Sequence, residues 1–150
     1  MGEVVYYTGD GGSHWRSAQF QKSCIGEKYL SDSYDARPAY AEMLNSKIWW
    51  ISYDDGRLVR SVDGGHTWCD LLPPGGVAFY EAGHKYFMNL HFENPEHGWG
   101  LGWDRFLYET KDGGLSWTRI TSQLTFDSMF FLNLRSGLLV SKTSIFRSEQ

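Results

Sequence analysis

The side chains of this sequence best placed to do chemistry are aspartates set among aromatics and arginines. The stretches YDDGR (53–57) and WDR (103–105) put Asp55 and Asp104 at matching points of a repeated pattern. Two carboxylates with separated pKa values can cleave a glycosidic bond, one as the acid and the other as base or nucleophile. Tyr53, Arg57, Trp103 and Arg105 flank them. Two longer segments repeat the palette: SDSYDARPAY (31–40) holds Tyr34, Asp35 and Arg37, and PPGGVAFYEAGHKY (73–86) holds Tyr80. Flat rings can stack on sugar faces while carboxylates accept hydroxyl groups. The same mixture of aromatics and arginine builds protein interfaces. These residues are therefore candidates for holding a glycan or a protein, and none is assigned a catalytic role.

Metal and phosphate chemistry fit less well. His84, His91, Glu93 and His97 lie within fourteen residues, and alternation would put His91 and Glu93 on one strand face. Their spacing matches no zinc signature, so no metal is expected. The glycine pairs precede no helix that could present N–H groups to a phosphate, so no nucleotide cofactor is expected either.

The elements that position these residues recur along the chain. TGDGGSHW (8–15), SVDGGHTW (61–68) and TKDGGLSW (110–117) share one grammar: Ser or Thr, any residue, Asp-Gly-Gly, two residues, Trp. A self-similarity of this kind marks a repeat architecture. Residues 39–68 lie over 88–117 without a gap, matching Asn45 to Asn94, Trp50 to Trp99 and Leu58 to Leu107. Residues 126–150 lie over 88–112, again without a gap, matching Phe130 to Phe92, Leu139 to Leu101 and Ile145 to Leu107.

Each repeat reads as four short strands, A to D, bounded by turn signals. The glycines of each turn supply the positive φ that other residues resist. The aspartate can accept N–H bonds across its own turn, and the hydroxyl residue can brace it. Asp10, Asp63 and Asp112 are thus read as turn braces, with Trp15, Trp68 and Trp117 as anchors beside or between sheets. The fold class expected is all-β, with propeller blades of four antiparallel strands. About three blades are expected in one domain spanning 1–150: a C–D half blade (1–20), blades at 39–72 and 86–121, and strands A–C of a split blade (126–150).

The three turn stretches resemble the Asp-box, or BNR repeat, of β-propellers such as sialidases, the sortilin ectodomain and photosystem II assembly factor-like proteins. GWGLGWDRFLYETKDGGLSWTRI (98–120) is most similar to the last of these. In a four-strand blade the A–B and C–D turns share one rim, and the B–C and D–A loops form the other. The resemblance thus implies that binding sits at the B–C and D–A loops. Sialidase chemistry would call for an arginine triad and an Arg-Ile-Pro motif. That motif is absent, since Arg37-Pro38 lacks the intervening residue. The resemblance implies a binding scaffold for a protein partner, with a carbohydrate-binding or glycan-hydrolysing propeller as the alternative.

Composition narrows the remaining classes. Aromatics make up 17% of the chain and glycines number 17 against four prolines, a balance typical of β-rich proteins. The net charge of −4 and the absence of any Lys/Arg run argue against nucleic acid. No stretch approaches the roughly 20 apolar residues of a membrane helix. The N-terminus has no basic segment followed by an apolar one, so a cytoplasmic location is the default expectation. Cys24 and Cys69 are read as buried or idle thiols, with a disulfide as the alternative. Because about three blades fall short of the usual 4–8, a homo-oligomer is expected, two chains sharing split blades to close a six-blade ring, with a fragment of a larger propeller as the main alternative.

Overall fold

The computed structural model describes residues 5–21, 36–71, 86–120, 123–133, 136–142 and 144–147, without the side chains of 20, 21, 132, 133, 146 and 147. Fourteen strands form four sheets among these residues. The first sheet pairs β1 (Tyr6–Tyr7) with β2 (Arg16–Ser17). The second contains β4 (Pro38–Met43), β5 (Trp49–Tyr53), β6 (Leu58–Ser61) and β7 (Thr67–Leu71) as an antiparallel meander. The third repeats it with β8 (Phe87–Phe92), β9 (Gly98–Gly102), β10 (Leu107–Thr110) and β11 (Thr118–Arg119). The fourth holds β12 (Ser128–Asn133), β13 (Ser136–Val140) and β14 (Ile145–Arg147). These are propeller blades. No helix among the described residues is long and apolar enough to cross a membrane.

Sheets stacked face to face bury both sides of their middle strands, which explains the almost unbroken burial of WWISY in β5. One hydrophobic cluster fills each joint. Val5 and Ala18 of the first sheet meet Ile51, Val59 and Trp68 of the second. Trp50, Leu58 and Leu71 of the second meet Phe87, Leu90 and Phe92 of the third. Leu101 and Leu107 of the third meet Phe126 and Met129, which lead into and lie on the fourth. The central joint is the tightest: Trp50 stacks flat on Phe92, with ring centroids 3.6 Å apart at 1°. The next joint uses the same ladder positions, with Trp99 on Phe131 at 5.4 Å and 20°.

Three expectations need correction. The alignment of 126–150 on 88–112 contains a gap. Leu101 and Leu107 pair across five intervening residues, whereas Val140 and Ile145 pair across four. The shorter hairpin moves strands A and B by one position. Phe131, not Phe130, therefore corresponds to Phe92, and Phe130 corresponds to His91. One residue flips a side chain to the other face, so the difference decides which aromatics meet the third sheet. Second, strand D of the first unit does not continue to residue 20 in its own sheet. Ala18 N–H donates to Val5 O, and then Gln19 N–H donates to His66 O. Beyond Ala18 the chain crosses to run as β3 (Gln19–Gln21) parallel to β7, a fifth strand on that sheet. Third, Cys69 is not an idle thiol but disulfide-bonded. The chain's other cysteine, Cys24, lies outside the described residues.

Candidate functional site

The two rims of the stack differ in how their aspartates are used. On one rim the three Asp-Gly-Gly turns are built alike. The hydroxyls of Thr8, Ser61 and Thr110 donate to Oδ1 of Asp10, Asp63 and Asp112 at 2.8, 2.9 and 2.8 Å. The same hydroxyl oxygens accept from the N–H of Gly12, Gly65 and Gly114, each at 2.9 Å. Oδ1 also accepts the N–H four residues on, from His14, Thr67 and Ser116 at 2.9, 2.9 and 2.8 Å. That residue's side chain binds Oδ2 in every case, by the Nδ1 of His14 or the hydroxyls of Thr67 and Ser116. Both glycines of each turn lie at positive φ, between 69° and 100°. The turn docks on the A–B turn of its own sheet through Gly64 N–H to Lys47 O and Gly113 N–H to Glu96 O.

These bonds make the three carboxylates more acidic. The backbone and side chain of His14 pull Asp10 down to about 2. At Asp63 and Asp112 burial pushes the pKa up, but the bonds from Thr67 and Ser61, and from Ser116 and Thr110, outweigh it and leave both lowered. Trp68 and Trp117 close the second and third turns by donating indole N–H to Gly65 O and Gly114 O. Trp15 departs from the expected anchor role, because its ring is mostly exposed.

On the opposite rim the B–C hairpins meet the chain entering each strand A. In the second sheet Arg37 N–H donates to Asp54 Oδ1 at 2.7 Å, and Asp54 N–H donates to Arg37 O at 2.9 Å. In the third, Trp103 N–H donates to Tyr86 O, and the two rings lie 5.2 Å apart. Burial and then the nearby charge of Asp54 push the Tyr86 hydroxyl up. Arg105 reaches the chain entering the fourth sheet, with Nη2 2.6 Å from Asp127 Oδ1. Its φ of 68° is the only positive value at a non-glycine among the described residues, and Gly56 at 93° holds the same place in the second sheet. A non-glycine residue there is strained unless its surroundings hold it.

The sequence candidates fall into four groups. Arg37, Trp103 and Arg105 lie on this rim, Arg37 tied to Asp54 of the second sheet and Arg105 reaching Asp127 before the fourth, with Trp103 half-exposed. Asp55 and Asp104 are engaged within their own hairpins. Asp55 accepts from the N–H and Nε of Arg57 at 3.0 and 2.8 Å. Asp104 accepts the Tyr108 hydroxyl at 2.5 Å, and burial followed by that bond pushes the Tyr108 pKa up. Tyr53 needs correction as a ligand contact: it is buried in the joint between the first two sheets, under the Arg57 guanidinium. Tyr34, Asp35 and Tyr80 lie outside the described residues. Sequence reasoning missed Asp54, Tyr86 and Asp127. The first sits beside the better-matched Asp55, Tyr86 ends a segment whose repeat pattern had lapsed, and Asp127 opens the last repeat, just before its strand A.

The histidines do not form a metal centre among the described residues. His97 instead bridges Glu93 and Glu109, with Nδ1 and Nε2 each 2.9 Å from a carboxylate oxygen. His91 lies against Glu42 at 3.3 Å and stacks on Phe131 at 4.0 Å. His91 thus serves the joints between sheets, whereas His97 ties together the third sheet alone.

No family profile matches the chain, and no curated protein does. Solved structures do. A structure of YCF48 bound to D1 peptide superposes with a TM-score of 0.65 at 17% identity, covering 99% of this chain and 44% of that one. YCF48 from Cyanidioschyzon merolae gives 0.63 at 14%, covering 97% and 44%. The fold is a β-propeller's. The likeness extends to the fold alone, and the chain spans less than half the length of these neighbours.

Proposed function

We propose that this chain is a non-catalytic propeller module that binds an extended segment of a partner protein across the rim of Arg37, Asp54, Tyr86, Trp103 and Arg105. The observation that carries the reading is the half-exposed Trp103, backed by Tyr86 and flanked by charges already fixed in place. An exposed aromatic held by its neighbours and ringed by polar groups has the character of an interface anchor. That the neighbour YCF48 has been captured with D1 peptide supports the reading. The three turns we read as Asp-box repeats, on the strength of their shared bonding. We further read the chain as an incomplete ring that a second copy completes. The Cys69 disulfide favours an oxidising compartment over the cytoplasm expected by default.

The test is binding of D1 peptide and of a peptide array, read by Trp fluorescence and calorimetry. Trp103→Ala is expected to abolish specific capture while leaving thermal unfolding unchanged. Specific glycan binding with no peptide binding, lost on the same substitution, would replace the protein partner with a carbohydrate.

A further inference from the structure

The two ends of the stack carry the halves of a joint that recurs inside it. At the central joint Leu58 and Leu71 press on Gly114, where a Cβ would lie 3.0 and 3.1 Å from their methyls. Trp50 donates its indole N–H to Gly113 O at 3.0 Å. The ladder position of Leu58 is taken by Leu107 in the third sheet and Ile145 in the fourth, and that of Trp50 by Trp99 and Leu138. On the opposite face the place of Trp68 is taken by Trp117 and Trp15, and that of Val59 by Tyr108 and Tyr6.

Burial separates the inner members from the end ones. Leu58 and Leu107 are 1% and 7% exposed, whereas Ile145 is 73% exposed. Trp68 and Val59 are 2% and 0% exposed, whereas Trp15 and Tyr6 are 61% and 60%. A Cβ on Gly11 would meet nothing within 4 Å, and one on Gly12 would meet only Trp15. These are the places that Gly113 and Gly114 hold in the third turn.

We propose that a second copy of this chain covers both ends. Ile145 and Leu138 of one copy seat against Tyr6, Trp15, Gly11 and Gly12 of the next, head to tail. The occupant is a second copy because the chain itself bears the two complementary halves, each a positional repeat of surfaces that already meet within it. The inference rests on reading the chain as an incomplete ring, and it changes how that ring is joined. In a shared sheet β14 and β1 would both be strand C, yet β14 is already paired with β13 and β1 with β2. Stacking of faces requires neither pair to break.

Velocity sedimentation of the 150-residue chain is expected to show reversible assembly beyond the 17.2 kDa protomer. Trp15→Ser and Ile145→Asp each remove one half of the joint. Each alone is expected to weaken association by roughly tenfold or more, with circular dichroism and thermal midpoint unchanged because both side chains are exposed. Mixing the two variants restores one joint, so a one-to-one heterodimer forms that neither makes alone. Association that survives both substitutions, or mixing that restores nothing, overturns the proposal. A chain that stays monomeric also overturns it, and assigns the end faces to further blades of a longer polypeptide. Peptide capture at Trp103 is measured separately on the same samples, so either reading can fail while the other stands.

Discussion

Replacing Asp63 with alanine tests the physical role of the repeated turn. Its carboxylate accepts three bonds: from the Ser61 hydroxyl at 2.9 Å, the Thr67 N–H at 2.9 Å and the Thr67 hydroxyl at 2.7 Å. After truncation the two hydroxyls can rotate toward water or other acceptors. The Thr67 N–H cannot, and the loop loses the group that holds Gly64 and Gly65 at φ of 72° and 85°. A lost hydrogen bond to a charged group costs about 1.5–3 kcal/mol, so a total near 3 kcal/mol is expected. For a domain of this size that lowers the thermal midpoint by about 6–12 °C. Asp10→Ala removes the corresponding bonds from a turn with a largely exposed carboxylate. Its freed donors hydrate, and the midpoint is expected to move much less. Thermal unfolding of both variants by near-ultraviolet circular dichroism decides the matter. Equal losses at the two sites would show that the carboxylate acts through turn chemistry alone, and would refute the argument that packing on the neighbouring sheet sets the cost.

Two further outcomes follow from the same geometry. A Cβ on Gly65 would lie 2.5 Å from Trp49 Cζ3 and 3.1 Å from Tyr7 Cβ, so Gly65→Ala is expected to cost about 2–4 kcal/mol from strain and overpacking. Gly12→Ala, at a similar φ with only Trp15 nearby, isolates the strain part, and equal urea midpoints for the two would contradict the packing part. Asp10, Asp63, Asp112 and Glu109 are all more acidic in the fold than their ordinary values of 3.8 and 4.5. The unfolded chain therefore takes up protons first as pH falls. The stability they contribute is full above those ordinary values and drains as pH drops through the folded ones, down to about 2 for Asp10. A thermal midpoint that stays flat from neutrality to that acid limit would contradict this.

The blades were legible because each leaves two independent marks in the sequence: the Asp-Gly-Gly turn and short apolar strands at fixed distance from it. Asn45 and Asn94 were aligned correctly, and their side-chain oxygens accept the same pair of N–H groups in the A–B turns. The fourth sheet was misaligned because its hairpin is one residue shorter, and consecutive phenylalanines, Phe130 and Phe131, let either register look apolar. The parallel β3 left no mark, since a strand that changes sheets keeps the same residue pattern. The rim was legible at Trp103 and Arg105, where the repeat places the hairpin. Tyr53 was misassigned because it was read as opening the B–C loop, whereas it ends β5, a strand buried on both faces.

The contrast between the rims bears on what kind of activity the chain can support. A hydrolytic pair needs one carboxyl held protonated and another left charged, both open to substrate. Here Asp55 is bound to Arg57, Asp104 to Tyr108, and Asp127 to Arg105, each within or between hairpins. Such bonds fix loop shape and tie adjacent sheets together. They leave Trp103 and Tyr86 as the apolar surface that this arrangement presents. Arg105 accepts backbone strain in order to reach Asp127, where the second sheet uses Gly56 and makes no such bridge. Strain kept at a position that glycine could fill argues that the bridge has value. Its evident effect is to hold the hairpin that carries Trp103 against the next sheet, the kind of pre-ordering that the proposed partner-binding role would use, since a pre-set aromatic anchor loses little entropy on docking.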